Sequence, residues 1–600
     1  MAVPGRTPEC SVLVEGTASR PETTCGPVDF RGFAIETKRT FVHTPVETGY
    51  LSSPVAAPIL DSGTSVFVAS KISDDGDALR DLLAVDGSSG ELEAVFGVSE
   101  AEPRHLAAAR DRDGHPSIYI SEWGDGWAPT QVYSLATDVA VARAVGINGR
   151  GGMGTGTRDI DHDGRADVFV SDVVALHDGG VLYEGSPVDM TVLPTLFDSD
   201  GVGHLAYATA DGLADLSSGD FHPWPWSESD GYAAGTAVAG GNGGPVTVTV
   251  SDRGILIADG LGSIELTPMR PGHDVPFTAY PAAVGDIDGD GAPEAVVGVW
   301  EEIWAVALVG PSRGDVVHRW VVTPPEVEAG WASHKAVVLA DLDADRVYEV
   351  VSMGPDGLHV LSALHAESSV AFLDIGSLAV WNWPIVADID ADGSAEIVVT
   401  GTQVPAGEHL WAQRNEYVAA GTYNSTLFIL GAAEGEWART RPIWNQVPYD
   451  ITTVRDDGTI VRFPRPSWSQ YNAFRAQPAH DGDHPDLSPR VTAACADSCD
   501  EDGTITLTVV VDNLGSVDAP AGADLVLSTW AQGEPWIDEA LRITLPDPVP
   551  AGGQSPEYAF SMPVSQWKDA RVLDVWGTHE DECDYVNDRI DVAEDPCPPD

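Results

Sequence analysis

Four segments of this chain carry the same spacing of acidic residues, and each runs on into a stretch rich in β-branched residues. Acids stand at positions 1, 3, 5 and 9 of every segment. They are Asp159, Asp161, Asp163 and Asp167; Asp286, Asp288, Asp290 and Glu294; Asp341, Asp343, Asp345 and Glu349; and Asp388, Asp390, Asp392 and Glu396. Such a repeat constrains the fold strongly, because each copy must form a similar small unit.

Weaker copies, which have lost some or all of the acids, stand near residues 58, 109, 196 and 239, so that successive copies start 37 to 55 residues apart. This interval is the size of one four-stranded propeller blade. A small sheet with two faces to cover cannot stand alone, so the blades must stack around an axis. The sequence therefore predicts an all-β fold with a seven- or eight-bladed β-propeller, and the count of eight copies favours eight blades.

The acids of each segment suit a hard divalent cation. Carboxylates at alternating positions repel one another unless a cation with oxygen ligands offsets them, and a glycine at position 6 supplies the positive φ of a sharp bend. An EF-hand loop would place a Glu at position 12, but here the fourth acid comes at position 9. The sequences on both sides of the acids are typical of strands and not of helices. We therefore predict an EF-hand-like calcium loop in a β-hairpin, with about four Ca²⁺ sites. The alternative is a row of solvated turn acids.

The third copy departs from the pattern, because Arg346 replaces the glycine at position 6. A side chain at positive φ costs about 1 kcal/mol. We therefore expect this site to be weaker or differently bent.

On these motifs, residues from about 50 to 430 resemble the FG-GAP/VCBS repeat family, known from the integrin α-subunit β-propeller and from bacterial exported proteins. The resemblance implies calcium in the loop between the first two strands of some blades. It also implies that the ligands are the acids named above together with four backbone carbonyls, those of Arg165, Ala292, Val347 and Ser394.

The remaining sequence divides around this region. Residues 1–45 form an N-terminal segment, 46–435 the predicted propeller, and 436–484 a segment rich in aromatic and Arg residues, which we name the closing segment. Its aromatic residues either pack on the propeller as a clasp or form a platform for sugars. Residues 485–600 alternate in short strands and predict a β-sandwich. The stretch from Val511 to Ser516 resembles CARDB-like, immunoglobulin-fold modules of bacteria.

Net charge and cysteines limit the partners and the compartment. The formal net charge is −61, and this field repels nucleic acid and anionic membranes. No apolar run reaches the length of a membrane helix, and we expect a monomer. The six cysteines lie only in the flanks, at positions 10, 25, 495, 499, 583 and 597.

That even number, confined to the ends of the chain, favours disulfides of an extracellular or cell-surface protein, whereas free thiols would suit a cytosolic one. We expect the local pairs Cys10–Cys25, Cys495–Cys499 and Cys583–Cys597, among fifteen possible connectivities. The first residues show no signal-peptide pattern, which we interpret as a mature or truncated form of an exported protein.

Two classes of function remain. One is a calcium-stabilised binding or adhesion module that engages a glycan or a protein. The other is a polysaccharide lyase, because some lyases are eight-bladed propellers with similar calcium loops. A lyase needs a base, for which His334 and Lys335 are the candidate pair. No catalytic residue is assigned, and we expect the protein not to be an enzyme.

Overall fold

The computed structural model describes residues 9–12, 28–43, 50–60, 63–71, 80–98, 102–112, 114–123, 131–134, 139–143, 155–170, 173–175, 181–184, 194–198, 203–208, 212–215, 221–223, 233–241, 244–251, 254–259, 262–266, 281–299, 302–322, 337–354, 357–365, 369–375, 383–402, 425–465, 467, 471–480, 484–499, 502–530, 538–567, 570–576, 587–592 and 597. Regular structure in these residues is almost entirely β-strand. The helical elements whose bounds are described are two single 3-10 turns, Ile451–Thr453 and Val564–Gln566, and Ser467 is a further helical residue. The prediction of an all-β fold is confirmed. None of the helices in the described part of the chain could cross a membrane.

Contacts between residues divide the chain into two compact units. We call Val28–Ala479 the eight-sheet unit, and Met1–Pro27 together with His480–Asp600 the sandwich unit. In chain order the strands up to the middle of the sequence are β1 (Glu9–Val12), β2 (Ile35–His43), β3 (Tyr50–Leu51), β4 (Val55–Leu60), β5 (Gly63–Lys71), β6 (Arg80–Asp86), β7 (Leu92–Val98), β8 (Glu102–Arg110), β9 (Pro116–Trp123), β10 (Gln131–Ser134), β11 (Val139–Arg143), β12 (Thr155–Arg158), β13 (Asp167–Val170), β14 (Val173–Ala175), β15 (Val181–Glu184), β16 (Pro194–Asp198), β17 (Gly203–Ala208), β18 (Gly212–Asp215), β19 (Phe221–Pro223), β20 (Ala233–Gly241), β21 (Gly244–Ser251), β22 (Gly254–Asp259) and β23 (Gly262–Leu266).

The later strands continue in the same order. They are β24 (Ala283–Gly285), β25 (Glu294–Val299), β26 (Glu302–Ala307), β27 (Val316–Val321), β28 (Val337–Ala340), β29 (Glu349–Met353), β30 (Leu358–Leu361), β31 (Ser369–Leu373), β32 (Ile385–Ala387), β33 (Glu396–Thr402), β34 (Ser425–Ala432), β35 (Ala476–Gln477), β36 (Leu487–Ala496), β37 (Thr504–Asn513), β38 (Asp524–Trp530), β39 (Asp538–Thr544), β40 (Tyr558–Pro563), β41 (Ala570–Trp576) and β42 (Arg589–Asp591).

In the described residues, the eight-sheet unit contains eight sheets built mainly from strands that follow one another in the sequence and pair antiparallel. They are β3–β7, β8–β11, β12–β15, β16–β19, β20–β23, β24–β27, β28–β31 with β35, and β32–β34 with β2. The first strands β4, β8, β12, β16, β20, β24, β28 and β32 lie at the eight copies of the sequence repeat. Each copy therefore opens one sheet, including the faint copy near residue 58.

The last of these sheets takes one strand from the beginning of the unit. β2 pairs antiparallel with β34, although the two strands lie almost 400 residues apart in the sequence. A β-bulge interrupts this pairing between Thr37 and Arg39. The start and the end of the eight-sheet unit are therefore joined in one sheet.

The apolar core of this unit lies between consecutive sheets. One buried cluster joins Val248 of β21 to Val297 of β25, and another joins Val296 of β25 to Leu339 of β28. The first strands β24, β28 and β32 are buried along their whole length, whereas Val321 in the fourth strand β27 is 64% exposed. The sequences of these first strands are continuous apolar runs because both faces of each strand are covered.

The sandwich unit consists of two four-stranded sheets, in the orders β1-β36-β37-β40 and β39-β38-β41-β42. Alternate residues of β37 are buried, among them Leu507 and Val509, and they share one core with Leu525 of β38 and Leu573 of β41. The period of two along β37 is the pattern of a strand with one face on the core and one on the solvent.

A disulfide in this unit joins Cys499 to Cys597, so the expected pairs Cys495–Cys499 and Cys583–Cys597 are wrong. Cys499 and Cys597 are bonded to each other, so neither is available to the local partner expected for it. Cys495 is itself disulfide-bonded, and the register sets Cys10 of β1 opposite it. Cys25, the expected partner of Cys10, lies outside the described residues.

Candidate metal centre

The four acidic segments form loops of one design. Each connects the first strand of its sheet to the second, so that the loops lie between β12 and β13, β24 and β25, β28 and β29, and β32 and β33. We number these loops first to fourth in chain order. The position of the loops agrees with the prediction of a β-hairpin, with strands on both sides.

Each loop bends through two residues in the left-handed region, at positions 4 and 6. Position 6 has φ between 70° and 91° and is Gly164, Gly291, Arg346 or Gly393. Arg346 therefore adopts the glycine conformation, with φ of 70°, and the third loop keeps the bend of the others. Position 4, which the sequence did not single out, is His162, Gly289, Ala344 or Ala391, with φ between 58° and 78°.

Backbone N–H groups hold the acids in place. In all four loops the N–H of position 6 donates to the acid at position 1, as from Gly291 to Asp286 at 2.8 Å. The N–H of position 2 donates to the acid at position 9, as from Ile287 to Glu294 at 3.1 Å. The carboxylate at position 5 accepts from the N–H of position 7, at 2.8–2.9 Å. These bonds hold the acids at positions 1, 5 and 9, and in the first three loops the second oxygen of the acid at position 1 also accepts from backbone N–H groups.

The acids at positions 1, 3 and 9 converge in every loop. Each offers an oxygen, and the three oxygens lie within 4.8 Å of one another. The groups are Asp159, Asp161 and Asp167; Asp286, Asp288 and Glu294; Asp341, Asp343 and Glu349; and Asp388, Asp390 and Glu396. The acids at position 5 lie outside these groups, although Asp345 belongs to a further one with Asp343 and His365.

These carboxylates fit a hard cation. Three acids in contact and largely buried need an opposite charge, and Oδ1 of Asp343 and Oδ1 of Asp388 are buried without a hydrogen-bond partner. Oxygen donors in a flexible loop are what Ca²⁺ takes. Several acidic groups of this chain could therefore hold a metal ion, whereas the identity of the ion and the carbonyl ligands Arg165, Ala292, Val347 and Ser394 remain predictions.

Burial shifts the titration of these acids. Desolvation, with the charge of neighbouring acids, raises the pKa of Glu294 to about 8 and that of Asp388 to about 7. Burial also holds the pKa of Asp159, Glu349 and Glu396 well above the ordinary range, although Lys38 lowers the last of these. A bound cation would favour the ionised carboxylates, so metal and protons compete for the same oxygens.

This competition predicts how pH acts on the metal-free protein. Between pH 5 and 8 the folded chain holds protons on Glu294 and Asp388 that the unfolded chain has released, so the free energy of unfolding should fall as pH rises. Added calcium should remove the part of this decline that comes from Glu294, because the ion replaces the proton in the second loop. Urea unfolding at several pH values, with calcium or with a chelator, measures the effect, and Glu294→Gln should flatten the slope. A chelated protein that gains stability over this range would contradict the argument.

In two of the loops a histidine side chain lies beside the acid at position 3, and neither histidine was identified from the sequence. His365 Nε2 lies 3.2 Å from Asp343 Oδ2 in the third loop, and His318 Nε2 lies 3.7 Å from Asp288 Oδ2 in the second. His334 and Lys335, the pair considered for a lyase, lie outside the described residues.

Several aromatic and Arg side chains in the described part of the closing segment are buried. Trp437, Trp444, Tyr449, Arg441 and Arg475 are each at most 1% exposed. Trp444 exchanges backbone hydrogen bonds with Ala56 of β4 at 2.9 Å. Within the described residues the closing segment forms hydrogen bonds with the first strands of six sheets and with the loop that follows the first strand of a seventh sheet. The residues of the segment that make these bonds are Trp444, Asn445, Gln446, Asn472, Phe474, Arg475 and Arg441. This burial favours the clasp over a sugar platform.

Comparisons with known proteins give a likeness of fold. No protein-family model and no curated protein matches the sequence. Among solved structures, the V. cholerae biofilm matrix protein Bap1 is 14% identical, with 75% of this chain and 99% of that chain covered and a TM-score of 0.50.

Two further structures match less well. They are the rhamnogalacturonan lyase YesW (14% identity, 61% and 75% covered, TM-score 0.24) and the Dos1 propeller (9%, 60% and 74%, 0.25). The likeness to Bap1 concerns the fold alone, and the two lower scores carry no argument.

Proposed function

We propose that this protein is a calcium-binding β-propeller that is exported or held at the cell surface and serves as a binding or adhesion module for a glycan or a protein. The convergence of three carboxylate oxygens within 4.8 Å in each of four loops carries the proposal. Such a group is unfavourable in a buried loop until a cation binds, and Ca²⁺ is the common extracellular cation with this preference for oxygen.

The proposed propeller has eight blades closed in a ring. Eight sheets follow one another in the chain, and apolar clusters lie between consecutive sheets. The pairing of β2 with β34 would close the ring, because it gives the last blade its outer strand from the start of the unit. The FG-GAP/VCBS assignment belongs to this proposal.

The closing segment would occupy the centre of the ring. It forms hydrogen bonds with first strands, which in a propeller line the central channel, and its side chains Trp437, Trp444 and Tyr449 are buried. A filled channel would leave the loops and outer strands as the surface that binds a partner. The segments 1–45, 46–435, 436–484 and 485–600, the last as a CARDB-like adhesion module, complete the proposed organisation.

Two observations support an exported protein. The Cys499–Cys597 disulfide suits an oxidising compartment, and the Bap1 structure of similar fold is that of a biofilm matrix protein. The net charge of −61 adds a solubilising surface and argues against nucleic acid as a partner.

Binding to a polysaccharide and glycan array, with calcium and with a chelator, tests the function. We expect retention on at least one glycan or on a surface protein in calcium, with loss of binding on chelation. Asp286→Asn should weaken binding, whereas Arg31→Met, at an exposed pair with Asp29, should not. Release of unsaturated sugars from the array would support the lyase instead, and calcium-independent binding would contradict the proposal.

A further inference from the structure

Two basic residues of β2 lie against the fourth acidic loop. Lys38 Nζ is 2.6 Å from Glu396 Oε1 and 3.0 Å from Asp392 Oδ2. Arg39 NH1 is 2.8 Å from Asp390 Oδ2. The side chain of Glu396 is fully buried and that of Lys38 is 18% exposed. Three of the four acids of this loop are therefore paired with cations of the chain itself.

The β-bulge in β2 explains how neighbouring residues reach the same loop. In a regular strand, consecutive side chains point to opposite faces of the sheet. Here Thr37 stands opposite Leu430 and Arg39 opposite Ile429, so that Lys38 is the extra residue of the bulge. Bulges redirect side chains in this way. The bulge thus allows Lys38 and Arg39 to contact one group of acids.

The facing strand leaves space for the lysine. A Cβ at Gly431 of β34 would lie 2.4 Å from Cε and 2.9 Å from Cδ of Lys38. The aliphatic part of Lys38 therefore crosses β34 where there is no side chain, and any other residue at this position would displace it. The sequence of β34 is fitted to the path of the lysine.

The second loop offers the contrast. Asp286, Asp288 and Glu294 form the same group of oxygens. Among the ion pairs of the described residues, none joins a Lys or Arg to these three acids, and the nearby basic group is His318 at 3.7 Å from Asp288. The same acid design thus exists with and without a built-in cation.

We propose that the Lys38 ammonium, assisted by Arg39, neutralises the fourth loop in place of a divalent cation and ties β2 to the last sheet. An ammonium has three donors and needs acceptors around it, and Glu396 and Asp392 supply two. A Ca²⁺ ion beside this ammonium would be repelled by it. The inference rests on the proposed calcium binding of the other loops and assigns a different cation to this one.

Counting bound calcium tests the assignment. We would measure Ca²⁺ per chain at saturation, by native mass spectrometry and equilibrium dialysis, for the full chain and its variants. Lys38→Met should bind one more ion than the unaltered chain, and Lys38→Met with Asp388→Asn should lose that ion again. Lys71→Met, which removes a lysine of β5, should leave the count unchanged.

The single variants of the acids give an answer that does not depend on removing Lys38. Asp286→Asn should lose one ion, whereas Asp388→Asn should lose none, because Lys38 and not calcium occupies the fourth loop. In both variants Asn keeps an oxygen for the hydrogen bonds of the loop. Loss of an ion in Asp388→Asn, or no gain in folded Lys38→Met, would overturn the inference while leaving calcium binding intact. No calcium on the unaltered chain would instead contradict the proposed function, and Lys38→Met would still decide the fourth loop.

Discussion

Chelation of calcium should lower the melting temperature of the eight-sheet unit by roughly 4–8 °C. Each ion at a free concentration of ten to a hundred times its Kd stabilises the folded state by about 1.4–2.7 kcal/mol, so three occupied loops give about 4–8 kcal/mol. A unit of about 450 residues has an unfolding entropy near 1 kcal/mol per degree. The loss should be visible by scanning calorimetry with and without a chelator.

The sandwich unit provides the control within the same molecule. In the described part of the chain, all the acidic groups that could hold a metal lie in the eight-sheet unit. The transition of the sandwich unit should therefore stay in place when calcium is removed. Magnesium should restore less stability than calcium, since it prefers a smaller, octahedral site and keeps its waters. An eight-sheet transition that is indifferent to the chelator would exclude structural calcium.

Replacing Arg441 with Met should destabilise the eight-sheet unit by about 3–5 kcal/mol, because the partners of a buried charge would be left unpaired. Arg441 has no exposed side-chain surface. Its Nε lies 2.5 Å from Asp456 Oδ1, and its NH1 and NH2 donate to the carbonyls of Ile451 and Val454 at 2.7 and 2.6 Å. Urea unfolding monitored by Trp fluorescence measures the loss.

Two variants separate this effect from a general loss of arginine. Asp456→Asn keeps an acceptor oxygen beside Nε and should cost less than Arg441→Met. Arg31→Met removes a solvent-exposed pair with Asp29 and should not change the stability measurably. If Arg441→Met unfolds at the same urea concentration as the unaltered chain, the closing segment does not contribute to stability as described.

The local parts of this structure could be predicted from the sequence. The acid spacing predicted hairpin loops, and the structure places Asp286, Asp288 and Glu294 together at the end of β24. This works because hydrogen bonds within a dozen residues determine the loop. The left-handed conformation of Ala344 and Ala391 at position 4 was missed, because alanine gives no signal for positive φ.

Contacts between distant residues could not be predicted in this way. Lys38 and Asp392 are 354 residues apart in sequence, and only the pairing of β2 with β34 brings them together. The disulfide pairs failed for the same reason, since Cys499 and Cys597 are 98 residues apart. Sequence spacing indicates local turns, whereas these contacts depend on which strands become neighbours in a sheet.

The use of the chain's first strands has a consequence for biosynthesis. β2 cannot find its partner until β34 has left the ribosome, and β1 must wait for β36. Neither unit can finish folding before these late strands have been made, so both complete through contacts of very high sequence separation, which form slowly. An export route that carries unfolded chains could therefore take up this protein before its two units have completed folding. Truncation after the seventh sheet should therefore leave β2 without a partner and expose an adhesive edge.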